Sequence, residues 1–86
     1  MKTFPLTISS PDGDLFRGDV EMLIVRGTEG DLAVMAGHVP FVTGIVRGKC
    51  ALTTENGERK NGTIEEGILT VDKDSVTVLT SGITWE

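Results

Sequence analysis

The sequence predicts an all-β domain, an antiparallel sandwich or flattened barrel of two sheets that is built from many short strands and has no helix. Glycine, asparagine or aspartate recurs every several residues, as the turns between short strands require. Phe4, Leu6 and Ile8 alternate with proline, threonine and serine, which is the period of two of a strand with one buried face. The windows without glycine are rich in Val, Ile and Thr, whose branched β-carbons favour strands over helices.

Each expected strand lies between two of these turn signals, and residues 4–8 form the clearest one. Residues 20–26 are nearly continuous in apolar character after Glu21, which predicts a strand covered on both faces in the middle of the sandwich. We expect a turn at Gly18-Asp19, and a hairpin turn or a strand entry at residues 61–63. The other expected strands are the apolar stretch 32–34, residues 50–54, Ile64 with its neighbours, residues 68–71 and residues 76–79.

The composition indicates one domain over residues 1–86 and excludes several classes of function. The 13 acidic residues exceed the 8 basic ones, and the net charge of -5 argues against a nucleic-acid partner, because phosphate binding depends on clustered bases. The single cysteine, Cys50, cannot form an internal disulfide, so we expect a reducing cytoplasm. No stretch approaches the ~20 apolar residues that span a bilayer, and no secretory leader is recognisable, so we expect no direct membrane insertion.

The residues that carry catalytic or cofactor chemistry are few. One histidine and one cysteine make a zinc site improbable, and phosphate-binding glycine motifs are absent, so we expect no cofactor, no metal and no nucleotide. His38 is the one candidate base near neutral pH, and its position in a turn favours a loop or interface histidine over a catalytic one. The acidic pairs 65–66 and 72/74 resemble general acid-base pairs or calcium ligands, but solvated turns explain them better. These observations together indicate a binding protein.

Several motifs along the chain resemble one family. Residues 29–40 (EGDLAVMAGHVP) resemble the segment G-D/E-L-G-(I/V)-x-P-G-H-x-P of the epsilon subunit of the rotary F-type ATP synthase. Residues 16–21 (FRGDVE) are similar to the family's (F/Y)-x-G-x-V-E, and residues 67–71 to its G-G-(I/F)-x-E-V. The resemblance runs in order from about Phe4 to Thr84, and residues 4–8 and 76–79 fall within it as strands. Departures from the family pattern are Ala33, Ala36, Glu66 and Thr70.

The resemblance implies a fold, a function and partners. The fold is the N-terminal sandwich of about ten strands, without the helical hairpin that follows it in most members. The function is that of a non-catalytic rotor subunit at the cytoplasmic face of the bacterial membrane, which joins the gamma subunit to the c-ring and couples proton transport to ATP synthesis. By position, Glu29 and Asp31 match the side that faces the c-ring loops, and Ser10 and His38 match the gamma side.

A second hypothesis comes from a different class of protein. A small sandwich with a terminal tryptophan also resembles a stand-alone module that binds peptide or carbohydrate through Trp85 and the acidic turns. Sugar-binding modules display several exposed aromatic side chains, whereas we expect the three phenylalanines of this chain in the core. Trp85 itself is expected either to pack against the rim of the sandwich or to mark a surface that another protein covers. An enzymatic function is the weakest of the three interpretations.

Overall fold

The computed structural model describes residues 2–86, and this part of the chain folds entirely into strands and turns. No helix in it is long and apolar enough to cross a bilayer. There are nine strands: β1 Phe4–Ser10, β2 Gly13–Gly27, β3 Gly30–Met35, β4 Phe41–Ile45, β5 Gly48–Thr54, β6 Arg59–Ile64, β7 Gly67–Val71, β8 Val76–Thr80 and β9 Ile83–Trp85. The all-β prediction is therefore confirmed.

The strands form two layers that share β2. The first sheet contains the N-terminal half of β2, then β1, β8, β7 and β4, and the second contains the C-terminal half of β2 with β3, β5, β6 and β9. At Gly27, which is opposite Ile45, the end of β2 also meets β4. Because β2 belongs to both layers, nine strands supply ten strand segments, which agrees with the expected number of about ten.

The sheet is mixed, which corrects the prediction of a purely antiparallel one. All pairings are antiparallel except that of β1 with β8, whose residues run parallel from the Leu6–Val76 pair to the Ser9–Leu79 pair. Parallel neighbours need a long connection between them, and here the strands β2 to β7 provide it. Local turn signals do not indicate which distant strands will pair.

Strand β2 also corrects the turn that we expected at Gly18-Asp19. Both residues lie within the strand, opposite Leu6 and Pro5 of β1. The chain changes partners just after them, through an irregularity in the β2–β5 ladder between Val20 and Met22. A β-bulge bends and twists a strand without ending it, so one continuous strand passes from the first sheet to the second.

The core consists of the inward-facing side chains of both sheets. Phe4, Leu6 and Ile8 are buried as predicted, and so is Cys50. The remaining core residues are Val20, Leu23, Val25, Val34, Ile45, Leu52, Ile64, Leu69, Val71, Val76 and Val78. Phe16 is half-buried and Phe41 is exposed, so only Phe4 confirms the expectation of three core phenylalanines.

Trp85 packs against the rim of the sandwich, the first of the two expected arrangements. It belongs to β9, which the sequence did not indicate as a strand and which pairs with β6. The Phe16 ring lies 6.3 Å from the Trp85 ring, and the Lys60 ammonium lies 5.3 Å above it. Residues 61–63 were expected as a turn or a strand entry, but they lie inside β6. Glycine at position 62 lets β9 approach closely, since a Cβ there would lie 2.6 Å from the Thr84 carbonyl oxygen.

The turns divide between two ends of the sandwich. Gly27, Ile45, Gly67 and Thr80 are successive neighbours across the strands, so the turns that adjoin them lie together. We call this the Asp31 end, and its connections are residues 11–12, 28–29, 46–47, 65–66 and 81–82. The opposite end, which we call the His38 end, contains the connections 36–40, 55–58 and 72–75.

The close approach of β8 to β7 requires glycine at position 67. A Cβ on Gly67 would overlap the Leu79 carbonyl oxygen, whereas a Cβ on Gly82, two residues beyond β8, would have its nearest contact at 3.9 Å. We expect Gly67→Ala to lower the free energy of unfolding by more than 3 kcal/mol or to prevent folding, because the ladder must separate to admit the methyl group. Gly82→Ala is the matched control and should cost less than about 1 kcal/mol. Urea unfolding of both variants tests this, and equal stabilities would contradict it.

Candidate interaction surfaces

The outward side of four strands of the first sheet carries no ionisable side chain, whereas the adjoining half of β2 places Asp14, Arg17 and Asp19 beside it. It is formed by the outward-facing residues of β1, β8, β7 and β4, which alternate with the core residues of the same strands. We call it the uncharged face, and its members are Pro5, Thr7, Ser9, Val42, Gly44, Ile68, Thr70, Thr77 and Leu79. In a chain with 21 Asp, Glu, Lys and Arg in 86 residues, so large a surface without charge is unusual.

The centre of the uncharged face is apolar and accessible. Ile68 and Leu79 are paired across β7 and β8 and are 49% and 54% exposed, and Val42 on β4 is 68% exposed. Beside them a shallow groove of about 430 Å³ runs toward the Asp31 end, bounded on its far side by Pro11 and Ser81. Contiguous exposed apolar patches on soluble proteins usually mark contacts with other proteins.

The Asp31 end carries charges of both signs. Arg26 Nε lies 3.2 Å from Asp31 Oδ1 across the β2–β3 hairpin, and Arg47 Nε lies 3.1 Å from Glu65 Oε1. Glu29 and Glu66 are exposed and form no ion pair with any residue from 2 to 86. The chemistry of this end is therefore electrostatic, in contrast to the uncharged face.

Three of the four residues that the resemblance singled out lie together at the Asp31 end. Ser10 ends β1 on the rim of the groove, where its hydroxyl donates to the Gly13 carbonyl at 3.2 Å and accepts the Asp12 N–H at 3.2 Å. Glu29 lies in the exposed turn between β2 and β3. Asp31 follows that turn and is paired with Arg26, so its charge is already partly compensated.

His38 lies apart from the other three, at the opposite end of the sandwich. Its ring meets the Phe4 ring edge-on, with 5.4 Å between centroids and 86° between planes. Its Nδ1 is buried without a hydrogen-bond partner in the described part of the chain. Among residues 2–86 no nucleophile or carboxylate forms a hydrogen bond with His38 Nδ1, and the ring contacts Phe4 of the core.

Residues 2–86 bring together no group of three or more His, Cys, Asp or Glu side chains that could hold a metal ion. Cys50 lies in the core, where burial, and secondarily the negative charge of Glu86, raises the pKa of its thiol. The protonated thiol is therefore the favoured form, and it packs as a small apolar side chain.

Residues 3–86 match the family model described as "ATP synthase, Delta/Epsilon chain, beta-sandwich domain". The chain belongs to this family. It is 36% identical over 84 residues to the ATP synthase epsilon chain, sodium ion specific, of Acetobacterium woodii, covering 98% of this chain and 63% of that one. It is 38% identical over 86 residues to the ATP synthase epsilon chain of Ruminococcus albus, covering 99% and 63%. The chain thus spans somewhat under two thirds of the length of these relatives.

Two solved structures contain chains with the same fold. A chain of the Euglena gracilis mitochondrial ATP synthase superimposes with a TM-score of 0.89 at 24% identity, covering 96% of this chain and 53% of that one. A chain from the central stalk and c-ring of the Tetrahymena thermophila mitochondrial ATP synthase gives a TM-score of 0.76 at 13% identity, covering 96% and 66%. These similarities confirm the β-sandwich fold.

The uncharged face was not predicted from the sequence, although the sequence contains a signal for it. In β7 and β8 the residues alternate between buried and outward positions, and both sets contain large apolar side chains: Leu69 and Val78 point inward, Ile68 and Leu79 outward. A strand of a two-sheet sandwich needs only one apolar face. The second apolar set therefore indicates a candidate contact surface on the outward side of these strands.

The raised thiol pKa of Cys50 gives a dependence of stability on pH. The folded state favours the protonated thiol, so the contribution of this group is complete below the pKa of the unfolded thiol, ~8.5, and is lost as the pH rises through the folded pKa. We expect the stability of the wild type to fall more steeply than that of Cys50→Ala above about pH 8.5. Urea unfolding under reducing conditions, at a series of pH values, compares the two. Parallel curves would contradict the prediction.

Proposed function

We propose that this chain is the β-sandwich part of an ATP synthase epsilon subunit and acts as a non-catalytic component of the rotor. In this proposal it joins the gamma subunit to the c-ring at the cytoplasmic face of a bacterial membrane and helps to couple ion transport to ATP synthesis. Family membership and the bacterial relatives named epsilon chain support it. So does a surface that offers docking contacts in place of a reactive cleft.

The uncharged face is the observation that carries the proposal. The molecule measures 29 × 26 × 23 Å, so a whole side, made of the uncharged face and the adjoining part of β2, has about the area, ~800 Å², that each partner buries in a standard interface. Ile68, Leu79 and Val42 would form its apolar centre, and threonine and serine hydroxyls its surroundings. We assign this face to the gamma subunit, because permanent subunit contacts are usually apolar at their centre.

The Asp31 end suits a different kind of contact. Exposed ion pairs contribute only ~0 to 1 kcal/mol each, so charges there affect orientation more than affinity. We assign this end to the polar loops of the c-ring, with Glu29 and Asp31 as its acidic contacts. Ser10 and His38, at the two ends of β1, are assigned to the gamma side.

The alternative of an independent sugar- or peptide-binding module has no structural support. Such a module stacks its ligand on exposed aromatic rings. Trp85 is half-buried against Phe16 and lies under Lys60, so no open aromatic platform surrounds it.

A charge at the centre of the uncharged face should abolish gamma binding without unfolding the chain. Ile68→Glu places a carboxylate in the centre of the proposed interface, so we expect the Kd for purified gamma to rise at least 100-fold, or ~3 kcal/mol, as at interface hot spots. Met35→Glu is the matched control: Met35 is 56% exposed but lies on β3 of the second sheet, and its variant should bind gamma as the wild type does. Calorimetric titration measures both.

Two results of this titration would count against the proposal. If the wild-type chain forms no complex with gamma at micromolar concentration, the proposed function is wrong. If Met35→Glu weakens binding as much as Ile68→Glu does, gamma binds but not through the uncharged face.

Asp31→Lys tests the assignment of the Asp31 end to the c-ring. The substitution places a second cation beside Arg26, and because both side chains are exposed the free energy of unfolding should change by less than about 1 kcal/mol. We expect weaker coupling of ion transport to ATP synthesis in the assembled enzyme, measured as synthesis rate per unit of ATPase activity. Asp74→Lys, an equally drastic change at the His38 end, is the control. Unchanged coupling in Asp31→Lys would reject the c-ring role of this residue.

A further inference from the structure

Thr80 is the one buried polar side chain among residues 2–86, with only 5% of its surface exposed. It ends β8 opposite Gly67 of β7. Its hydroxyl oxygen lies 2.8 Å from the Glu65 carbonyl oxygen, and 3.2 and 3.3 Å from those of Glu66 and Gly82. A hydroxyl has a single hydrogen, so it donates to one carbonyl at a time, and Glu65 offers the shortest distance. The same oxygen accepts the Gly82 N–H at 3.4 Å, so it joins the 65–66 and 81–82 turns.

Further contacts extend this connection across the Asp31 end. The Glu65 N–H donates to the Gly82 carbonyl at 3.0 Å, and the Glu65 carboxylate accepts Arg47 Nε–H at 3.1 and 3.2 Å. The Val46 N–H donates to the Arg26 carbonyl at 3.0 Å, and the Arg26 side chain pairs with Asp31. We call these four connections the tethered turns: residues 28–29, which are tethered through the flanking Arg26 and Asp31, and residues 46–47, 65–66 and 81–82.

The contacts within the tethered turns differ in their surroundings. The Arg26–Asp31 and Arg47–Glu65 pairs are exposed, so water competes with them and salt screens them. The Thr80 hydroxyl is shielded from water, and its loss would leave the Glu65 carbonyl without its shortest partner. Thr80 is therefore the contact that persists under conditions in which the ion pairs weaken.

Thr80 also lies where the two proposed docking surfaces meet. It lines the groove beside Ile68 and Leu79 of the uncharged face, and it forms a hydrogen bond with the 65–66 turn of the Asp31 end. We propose that Thr80 is a positioning residue, which fixes the tethered turns relative to the uncharged face so that the charged end meets the c-ring loops in one orientation. This inference rests on the proposed function, since it takes the c-ring as the partner of the Asp31 end.

Thr80→Val tests the tether in the isolated chain. Valine keeps the shape of threonine but removes the hydroxyl, and Thr80→Ser keeps the hydroxyl but removes the methyl group. We expect the amides of Glu65 and Gly82 to exchange with solvent on the order of tenfold faster in Thr80→Val, relative to core amides such as Leu23. Thr80→Ser should restore slow exchange. Thr77→Val, the same change on the outer side of β8, should leave both amides as they are in the wild type.

Binding to the two partners tests what the tether does. We expect Thr80→Val to weaken binding to the purified c-ring in detergent about fivefold and to leave the Kd for gamma unchanged. Thr80→Ser should bind the c-ring with the affinity of the wild type. A merely structural role would lower both affinities in parallel, and that result would overturn the inference. Unchanged c-ring affinity in Thr80→Val, or unchanged exchange at Glu65 and Gly82, would overturn it as well. If the wild-type chain does not bind the ring, the proposed function itself fails, and the inference fails with it.

Discussion

The structure depends on one long strand that belongs to both sheets. The first half of β2 pairs with β1 and the second half with β3 and β5, so the hydrogen-bonded network is continuous from one layer to the other. The irregularity between Val20 and Met22 provides the bend that this requires. Val20, Leu23 and Val25 point from β2 into the core on both sides of that bend. Because the layers share a strand, they cannot slide past each other without breaking main-chain hydrogen bonds, and the domain is correspondingly stiff.

The surface offers two kinds of contact, which differ in how firmly the fold holds them in place. The uncharged face belongs to strands whose inner residues are core residues, so Ile68 and Leu79 are held in place by Leu69 and Val78 behind them. The Asp31 end consists of turns, which are the least constrained part of a sandwich. Hydrogen bonds from Thr80 and between main-chain groups compensate for that weakness. In the proposed assembly, apolar area on a rigid sheet supplies affinity, while charges on tethered turns supply orientation.

Much of the fold could be predicted from the sequence, because short-range patterns encode it. The alternation through Phe4, Leu6 and Ile8 located β1 and its buried face, and the glycine turns located most of the other strands. The β2–β3 hairpin was also readable in retrospect, since Gly27 and Gly30 close a two-residue turn that places Arg26 opposite Asp31. The parallel β1–β8 pair and the burial of Thr80 were not predictable in this way. Both depend on strands that are distant in the sequence, and a threonine at the end of a strand looks like any other polar residue until Gly67 brings β7 close to it.

The candidate site, like the fold, was predictable only in part. The family pattern indicated Glu29 and Asp31 for one side and Ser10 and His38 for another, but it did not indicate how far apart the members of each pair lie. The fold brings Ser10 to the end that carries Glu29 and Asp31 and leaves His38 at the other end of β1, beside Phe4. A partner that contacts both Ser10 and His38 must therefore extend along the whole of β1, which is one side of the uncharged face. An elongated subunit that lies along the sheet satisfies this requirement, whereas a small ligand does not.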